Sequence, residues 1–233
     1  KTALPGTVGS ARYNSGTGLG GIVGISAQVH EVSNCENYGP ITIANTTVAD
    51  ADGYNVHIYA GGVIGWAMQE QNNSGSYAAK TMKNLTNYAD LKFTGAAARY
   101  YAGGVIGCIT TNQTADNKRY WAEISGLKNV ANLTFDVANT CTYSALGGVV
   151  GWAEALNLAS TIASNEIYLQ SCEHYGNIEI LNAEGKLDYT NVGVILGCAR
   201  SEAGIVKNSK IGGMIVTGKV VTPEHDDPNS GLT

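Results

Sequence analysis

Charge is scarce in this chain of 233 residues: Asp, Glu, Lys and Arg together make up 14%, against about 25% in ordinary soluble domains. The 14 Lys and Arg are scattered and outnumbered by 19 Asp and Glu, giving a net charge of −5. A nucleic-acid partner is therefore not expected, because reading a phosphate backbone takes a basic stripe. No apolar run approaches the length of about 18 residues that a membrane-spanning helix requires, so no such segment is expected. The N-terminus has no signal-like segment; any targeting sequence has been removed or lies outside this polypeptide. Helical periodicity is poor throughout, and the best candidate, 153–169, is interrupted by Ser, Thr and Asn. Pro (4) and Phe (2) are few, whereas Gly (30), Asn (21), Thr (20) and Tyr (13) are plentiful. The apolar share of 44% is enough to bury a core, which excludes a disordered chain.

The plentiful residues are ordered by a repeat. Gly20-Gly21-Ile22-Val23-Gly24 returns as Gly61-Gly62-Val63-Ile64-Gly65, Gly103-Gly104-Val105-Ile106-Gly107 and Gly147-Gly148-Val149-Val150-Gly151, with a degenerate copy at Gly193-Val194-Ile195-Leu196-Gly197. The first glycines lie 41, 42, 44 and 46 residues apart. A second element follows each copy, beginning at Asn34, Asn84, Asn129, Ser171 and Asn208. In it Ile41/Ile43, Leu91/Phe93 and Ile178/Ile180 alternate with polar residues, as in a half-buried strand. The length between the two elements varies, which marks loops gathered along one side of a stack.

These features predict an all-β fold, a parallel β-helix of five repeats of 41–46 residues occupying 19–218. Residues 1–18 are expected to form a cap or linker and 219–233 a tail. Each repeat is expected to wind about two coils, for a rod on the order of 45–50 Å at about 4.8 Å per rung. The invariant final glycine of each motif is expected to face another layer closely or to need a positive φ. Asn34, Asn84, Asn129 and Asn208 are expected to form a turn ladder, since Asn tolerates left-handed backbone. The alternative is a five-bladed propeller, whose blades need four strands per repeat where two strong ones are legible.

The pairing of Gly-Gly-[Ile/Val]-[Ile/Val]-Gly with a downstream Asn-Cys-x-Asn-x-Gly-x-Ile resembles the GLUG repeat of bacterial cell-surface proteins. Segments 20–43 and 147–180 carry it most clearly, and weaker copies extend over roughly 19–218. The resemblance implies an extracellular or bacterial cell-surface, adhesin-like module, sometimes joined to other domains of a longer chain. It transfers no catalytic residue.

The chemistry-bearing residues fit that reading. Cys35 and Cys172 share one phase with Leu85 and Val130, and Cys108 and Cys198 share another with Ile25, Trp66 and Trp152. Four of five cysteines thus stand in for apolar residues and are expected to be unpaired core thiols; Cys141 fits no ladder. His30, His57, His174 and His225 lack zinc-site spacing, Glu224-His225-Asp226-Asp227 reads as a solvated tail, and Asp50 and Asp52 suit turn chemistry. No metal and no cofactor is expected. Gly-x-Ser-x-Gly and phosphate-loop motifs are absent, so a catalytic role is not expected either. The competing hypothesis is a carbohydrate-active enzyme, a polysaccharide lyase or glycoside hydrolase, with Glu36, Asp90, Glu173 and Glu179 as outward-facing carboxylates. For binding, Arg119, Tyr120 and Trp121 in a long loop form the candidate contact with a glycan or a surface protein, Tyr and Trp being suited to half-wet positions.

Overall fold

The structure, a computed structural model, describes residues 7–8, 11–12, 16–27, 31–45, 56–69, 81–97, 99–113, 121–137, 144–157, 166–181, 190–201, 210–212, 215–216 and 220–221. Every regular element among them is a strand. Thr7–Val8 and Ala11–Arg12 form an antiparallel hairpin. All other pairings are parallel and build four sheets. The first sheet stacks Gly16–Gly20, His57–Gly61, Arg99–Gly103, Ala145–Gly147 and Asn191–Gly193. The second stacks Val23–Ala27, Ile64–Gln69, Ile106–Gln113, Val150–Asn157 and Leu196–Ser201. The third stacks Glu31–Asn37, Thr81–Asn87, Trp121–Asn129, Glu166–Gln170 with Glu173–His174, and Lys210–Gly212 with Ile215–Val216. The fourth stacks Ile41–Asn45, Leu91–Gly95, Leu133–Val137, Ile178–Leu181 and Val220–Val221.

The chain visits the four sheets in turn and then begins the next rung, which makes a parallel β-helix. Parallel pairing between successive windings excludes the propeller, an antiparallel architecture. Gly20 pairs in register with Gly61, Gly61 with Gly103, Gly103 with Gly147, and Gly147 with Gly193. One motif spacing is therefore one coil of four strands, not two coils. A five-strand ladder has four steps, about 19 Å at 4.8 Å per step, so the rod is less than half the expected length. Stacked strands begin at Gly16 and reach Val221, beyond both limits drawn from the repeat.

Alternation decides which side chains enter the core. In the first and fourth sheets Ile58, Ala60, Tyr100, Ala102, Leu91, Phe93, Phe135 and Ile178 form one cluster. The third sheet packs Met82, Leu85, Ile124, Leu127 and Cys172 against Ile64, Ile106 and Val150 of the second. A third cluster joins the other faces of the first two sheets: Tyr59 stacks on Trp66 at 4.4 Å, and Tyr101 lies 4.7 Å from Trp152. Burying each large aliphatic or aromatic side chain contributes about 1.5–3 kcal/mol, so these three clusters supply most of the cohesion between rungs.

Glycine is required where the first two sheets meet. A Cβ on Gly65 would sit 2.6 Å from the Gly24 carbonyl oxygen and against the backbone of Leu19. Close approach of facing backbone, not positive φ, explains this invariant position. Left-handed backbone occurs elsewhere, at Gly95 (φ 90) and, in one aligned row, at Asn34 (φ 53), Asn84 (φ 53), Gly126 (φ 65) and Ser171 (φ 52). That set corrects the expected turn ladder: Asn34 and Asn84 belong to it, Asn129 does not, and Asn208 lies outside the described residues. Asn129 pairs in register with Asn87, and Asn87 with Asn37. The third winding is thus offset by three residues from its sequence alignment, and the partner of Leu85 in the cysteine slot is Leu127 rather than Val130.

Candidate functional site

The corner between the third and fourth sheets carries two rows of side chains, one buried and one exposed. The buried row is Asn37, Asn87, Asn129 and His174. Asn37 Nδ2 donates to Asn87 Oδ1 at 2.8 Å, Asn87 Nδ2 to Asn129 Oδ1 at 2.9 Å, and Asn129 Nδ2 lies 3.1 Å from His174 Nδ1. Each amide also serves its own winding. Nδ2 donates to the carbonyl two residues on, at Gly39, Ala89 and Ala131, and Oδ1 accepts from the N–H of the same residue. Buried amides with every hydrogen bond made are stabilising, whereas orphaned ones cost about 1–3 kcal/mol each. The second glycine of the motif makes room for the row: a Cβ on Gly21 would meet Asn37, and one on Gly62, Gly104 or Gly148 would meet Asn87, Asn129 or His174.

The residue after each member of the buried row faces outward: Tyr38, Tyr88, Val130 and Tyr175. Backbone hydrogen bonds tie these positions across the coils, from Tyr88 N to Asn37 O, Val130 N to Asn87 O and Tyr175 N to Asn129 O, each at 2.9 Å. Tyr38 and Tyr88 stack with ring centroids 4.7 Å apart and planes within 5°, yet Tyr38 is 68% exposed and Tyr88 42%. Large exposed aromatics held in a fixed stack offer contact area at little cost in conformational entropy.

Charges flank the tyrosines. Register aligns Glu36 with Thr86, Thr86 with Lys128, and Lys128 with Glu173. Tyr38 Oη donates to Glu36 Oε2 at 2.6 Å and Tyr175 Oη to Glu173 Oε2 at 3.0 Å. Donation to a carboxylate favours the protonated phenol: the Glu36 hydrogen bond is the main reason the Tyr38 hydroxyl is pushed up to about 12, and the Glu173 bond likewise raises Tyr175. Lys128 Nζ lies 3.6 Å from Glu173 and 5.0 Å from the Tyr175 ring centre. Among the other carboxylates, Asp90 Oδ1 accepts from Asn132 N at 2.9 Å and from Asn132 Nδ2 at 3.3 Å, a structural clasp between coils. Glu179 alternates with the buried Ile178 and Ile180 and points away from the core.

A second group of polar residues lies within the aromatic cluster of the first two sheets. His57 Nδ1 is 3.4 Å from Tyr59 Oη, Arg99 Nη1 donates to Tyr101 Oη at 3.4 Å, Trp66 Nε1 donates to Thr110, and Trp152 Nε1 to Glu154. Burial, aided by Arg99, pushes His57 down to about 4 and keeps it neutral. Burial holds Tyr101 up to about 12, and the Tyr59 phenol and Cys108 thiol well above their ordinary values. These groups are protonated packing elements, and thiols kept protonated are inert.

Of the residues singled out for binding, Arg119 and Tyr120 lie outside the described residues. Trp121 begins a strand of the third sheet, in register with Glu166, and its side chain is outside the description. Cys141, His30, His225, Asp50 and Asp52 also lie outside it. Cys35, Cys108, Cys172 and Cys198 form no disulfide; Cys108 and Cys172 are core residues as expected, whereas Cys35 and Cys198 are only half-buried, and Trp66 and Trp152 are buried as their phase implies. The Tyr38–Tyr88 stack was not singled out from sequence, although the signal was present: a tyrosine follows Asn37, Asn87 and His174 alike. Among the described residues no group of three or more His, Cys, Asp and Glu is placed to hold a metal ion, and none forms a helix long and apolar enough to cross a membrane. Comparison with known proteins returns no matching family model, curated protein or solved structure.

Proposed function

We propose that this chain is a non-catalytic binding module of GLUG type: five repeats of a rigid β-helix, working at a bacterial surface or after secretion in an adhesin-like role. Its partner is a glycan or a surface protein. The exposed, parallel Tyr38–Tyr88 stack carries this reading. An aromatic pair costs free energy to leave in water, and here it is anchored on a buried amide row and braced by Glu36. Such a rod displays side chains and loops at a fixed pitch, so several weak contacts add along one face.

The enzymatic reading draws less support. Paired glycosidase carboxylates sit about 5–9.5 Å apart. Glu36 and Glu173 are three ladder steps apart, about 14 Å along the stack, and each is committed to a tyrosine. The test is a glycan and host-matrix array probed with the purified chain, followed by turnover assays on every hit. A hit that survives in the parent, vanishes in Tyr38→Ala/Tyr88→Ala and shows no turnover supports the proposal. Binding untouched by the double substitution, or turnover of a bound glycan, overturns it.

A further inference from the structure

Among the described residues the first coil, like the fifth, pairs with a neighbouring coil on one side only. Its four strands are each the terminal member of their sheet, and its core residues are correspondingly incomplete. Val23, Cys35 and Ile41 are only half-buried, although their register partners Ile64, Leu85 and Leu91 are 0%, 0% and 1% exposed. Exposed parallel edges with open hydrogen-bonding groups are templates for strand addition.

The unfilled groups at Glu31–Asn45 specify what would fit. Tyr88 N and Val130 N each reach back to the preceding coil, so the equivalent Tyr38 N–H points outward, and it has no partner among the described residues. Ile41 N and Leu91 N bond forward to the carbonyls of Asp90 and Asn132, so the Pro40 carbonyl, equivalent to that of Asp90, also faces outward. Asn84 Nδ2 donates to Asn34 Oδ1 at 3.0 Å, which leaves the Asn34 NH2 group free to donate to an incoming carbonyl oxygen. Asn37 Oδ1 accepts only from Gly39 N, so one lone pair remains for an incoming donor, as Asn87 receives from Asn37. One face of the Tyr38 ring is covered by Tyr88, and no described ring covers the other. Glu36 meets an uncharged Thr86 on its inner side, and the pairing of Lys128 with Glu173 shows that a lysine in the adjacent rung reaches this glutamate position.

We propose that the outer edge of Glu31–Asn45 is a docking site for an extended strand of a partner polypeptide, added in parallel and carrying Asn-apolar-[Lys/Arg]-Asn-aromatic. The first Asn accepts from Asn34, the apolar residue covers Cys35, the cation meets Glu36, the second Asn donates to Asn37 and the ring stacks on Tyr38. A second copy of this chain does not meet these requirements. Its last coil places Val216 in register beside His174, and Val has no donor for Asn37. Docking two first coils edge to edge would bring the Glu31 and Glu36 side chains of both copies together with no cation between them.

The experiment is fluorescence anisotropy of the whole chain with a labelled peptide of residues 81–93 carrying Thr86→Lys. Saturable binding that weakens with added salt is expected. Replacing either peptide Asn by Leu should weaken it by about tenfold or more, the scale of one well-made hydrogen bond plus the orphaned partner. Asn34→Gly in the chain keeps the left-handed backbone and should cost as much affinity, while the loss of its exposed bond from Asn84 lowers the melting temperature only slightly. The proposal is overturned by equal binding of a scrambled peptide or of the Asn-free peptides, or by no binding at millimolar peptide. Self-association of the chain through this edge, insensitive to the peptide, would overturn it too.

Discussion

Asn129 Nδ2 lies 3.1 Å from His174 Nδ1, so the imidazole takes the place that an asparagine amide holds in the coils before it. A ring protonated on both nitrogens would set two donors face to face in a buried row. Burial already lowers the His174 affinity for a proton, against hydrogen bonds to Gly148 and Gly176 that favour it, and burial lowers His57 to about 4. In the unfolded chain both histidines titrate near their ordinary value of about 6.5.

The pH dependence follows from those directions. The unfolded state binds more protons than the folded one below pH of about 6.5, so stability is full above that value and falls as the pH drops towards about 4. Melting temperature should therefore decline between pH 7 and pH 5. His174→Asn supplies a side chain of the kind Gly104 already accommodates at Asn129, and should preserve stability at neutral pH while flattening the decline. Thermal melts of the parent and the variant at five pH values check this; identical slopes would show that His174 is not held neutral by the row.

The two kinds of asparagine should respond differently to substitution. Asn87 makes four hydrogen bonds while 0% exposed. Asn87→Leu leaves Asn37, Asn129 and the Ala89 backbone short of partners and should cost about 3 kcal/mol or more. Asn84 is valued for its left-handed φ and one exposed hydrogen bond, so Asn84→Gly should cost under about 1 kcal/mol. Urea unfolding of the two proteins measures the difference, and comparable losses would contradict the separation of a buried row from a turn position.

That separation marks the limit of what the sequence discloses. The glycine motif was legible because close backbone approach admits only one residue type, and its spacing became the register from Gly20 to Gly193. The strand Glu31–Asn37 was not read as a strand, because left-handed Asn34 breaks its alternation. Left-handed backbone accepts Asn, Gly or Ser, so Asn34, Asn84, Gly126 and Ser171 share a conformation without sharing a letter. Aligning letters moved Asn129 into the wrong row. A small or amide residue three places before each of Asn37, Asn87, Asn129 and His174 was the usable signal. The Tyr38–Tyr88 stack lies outside that offset, because Asn34 and Asn84 already align the first two windings.

Glycine at the sheet junction gives a sharper stability contrast than any surface carboxylate. A branched side chain at Gly65 would drive into the Leu19 backbone and the Gly24 carbonyl, neither of which can move without breaking ladder hydrogen bonds. Asp90→Ala removes only exposed contacts to Asn132 and should cost about 1 kcal/mol. Gly65→Val is expected to unfold the chain or lower its melting temperature by well over ten degrees, on the order of 4 kcal/mol or more. Circular dichroism melts decide the matter: equal melting temperatures for the two variants would mean the first and second sheets do not press together at this point.

The thiols should divide by burial. Cys108 is 1% exposed and Cys172 0%; burial raises the first well above its ordinary range and the second to about 11. Thiolate, not thiol, attacks a disulfide reagent, so both should react with Ellman's reagent only after global opening. Cys35 and Cys198 are half-buried at the two ends of the stack, where fewer neighbouring rungs must separate to admit the reagent, and they should react faster. Single-cysteine proteins retaining one thiol each, timed in native buffer and in denaturant, give four rates. Fast native labelling of Cys108 would place it outside the aromatic cluster, and with it the packing of Tyr59, Trp66, Tyr101 and Trp152 that joins the first sheet to the second.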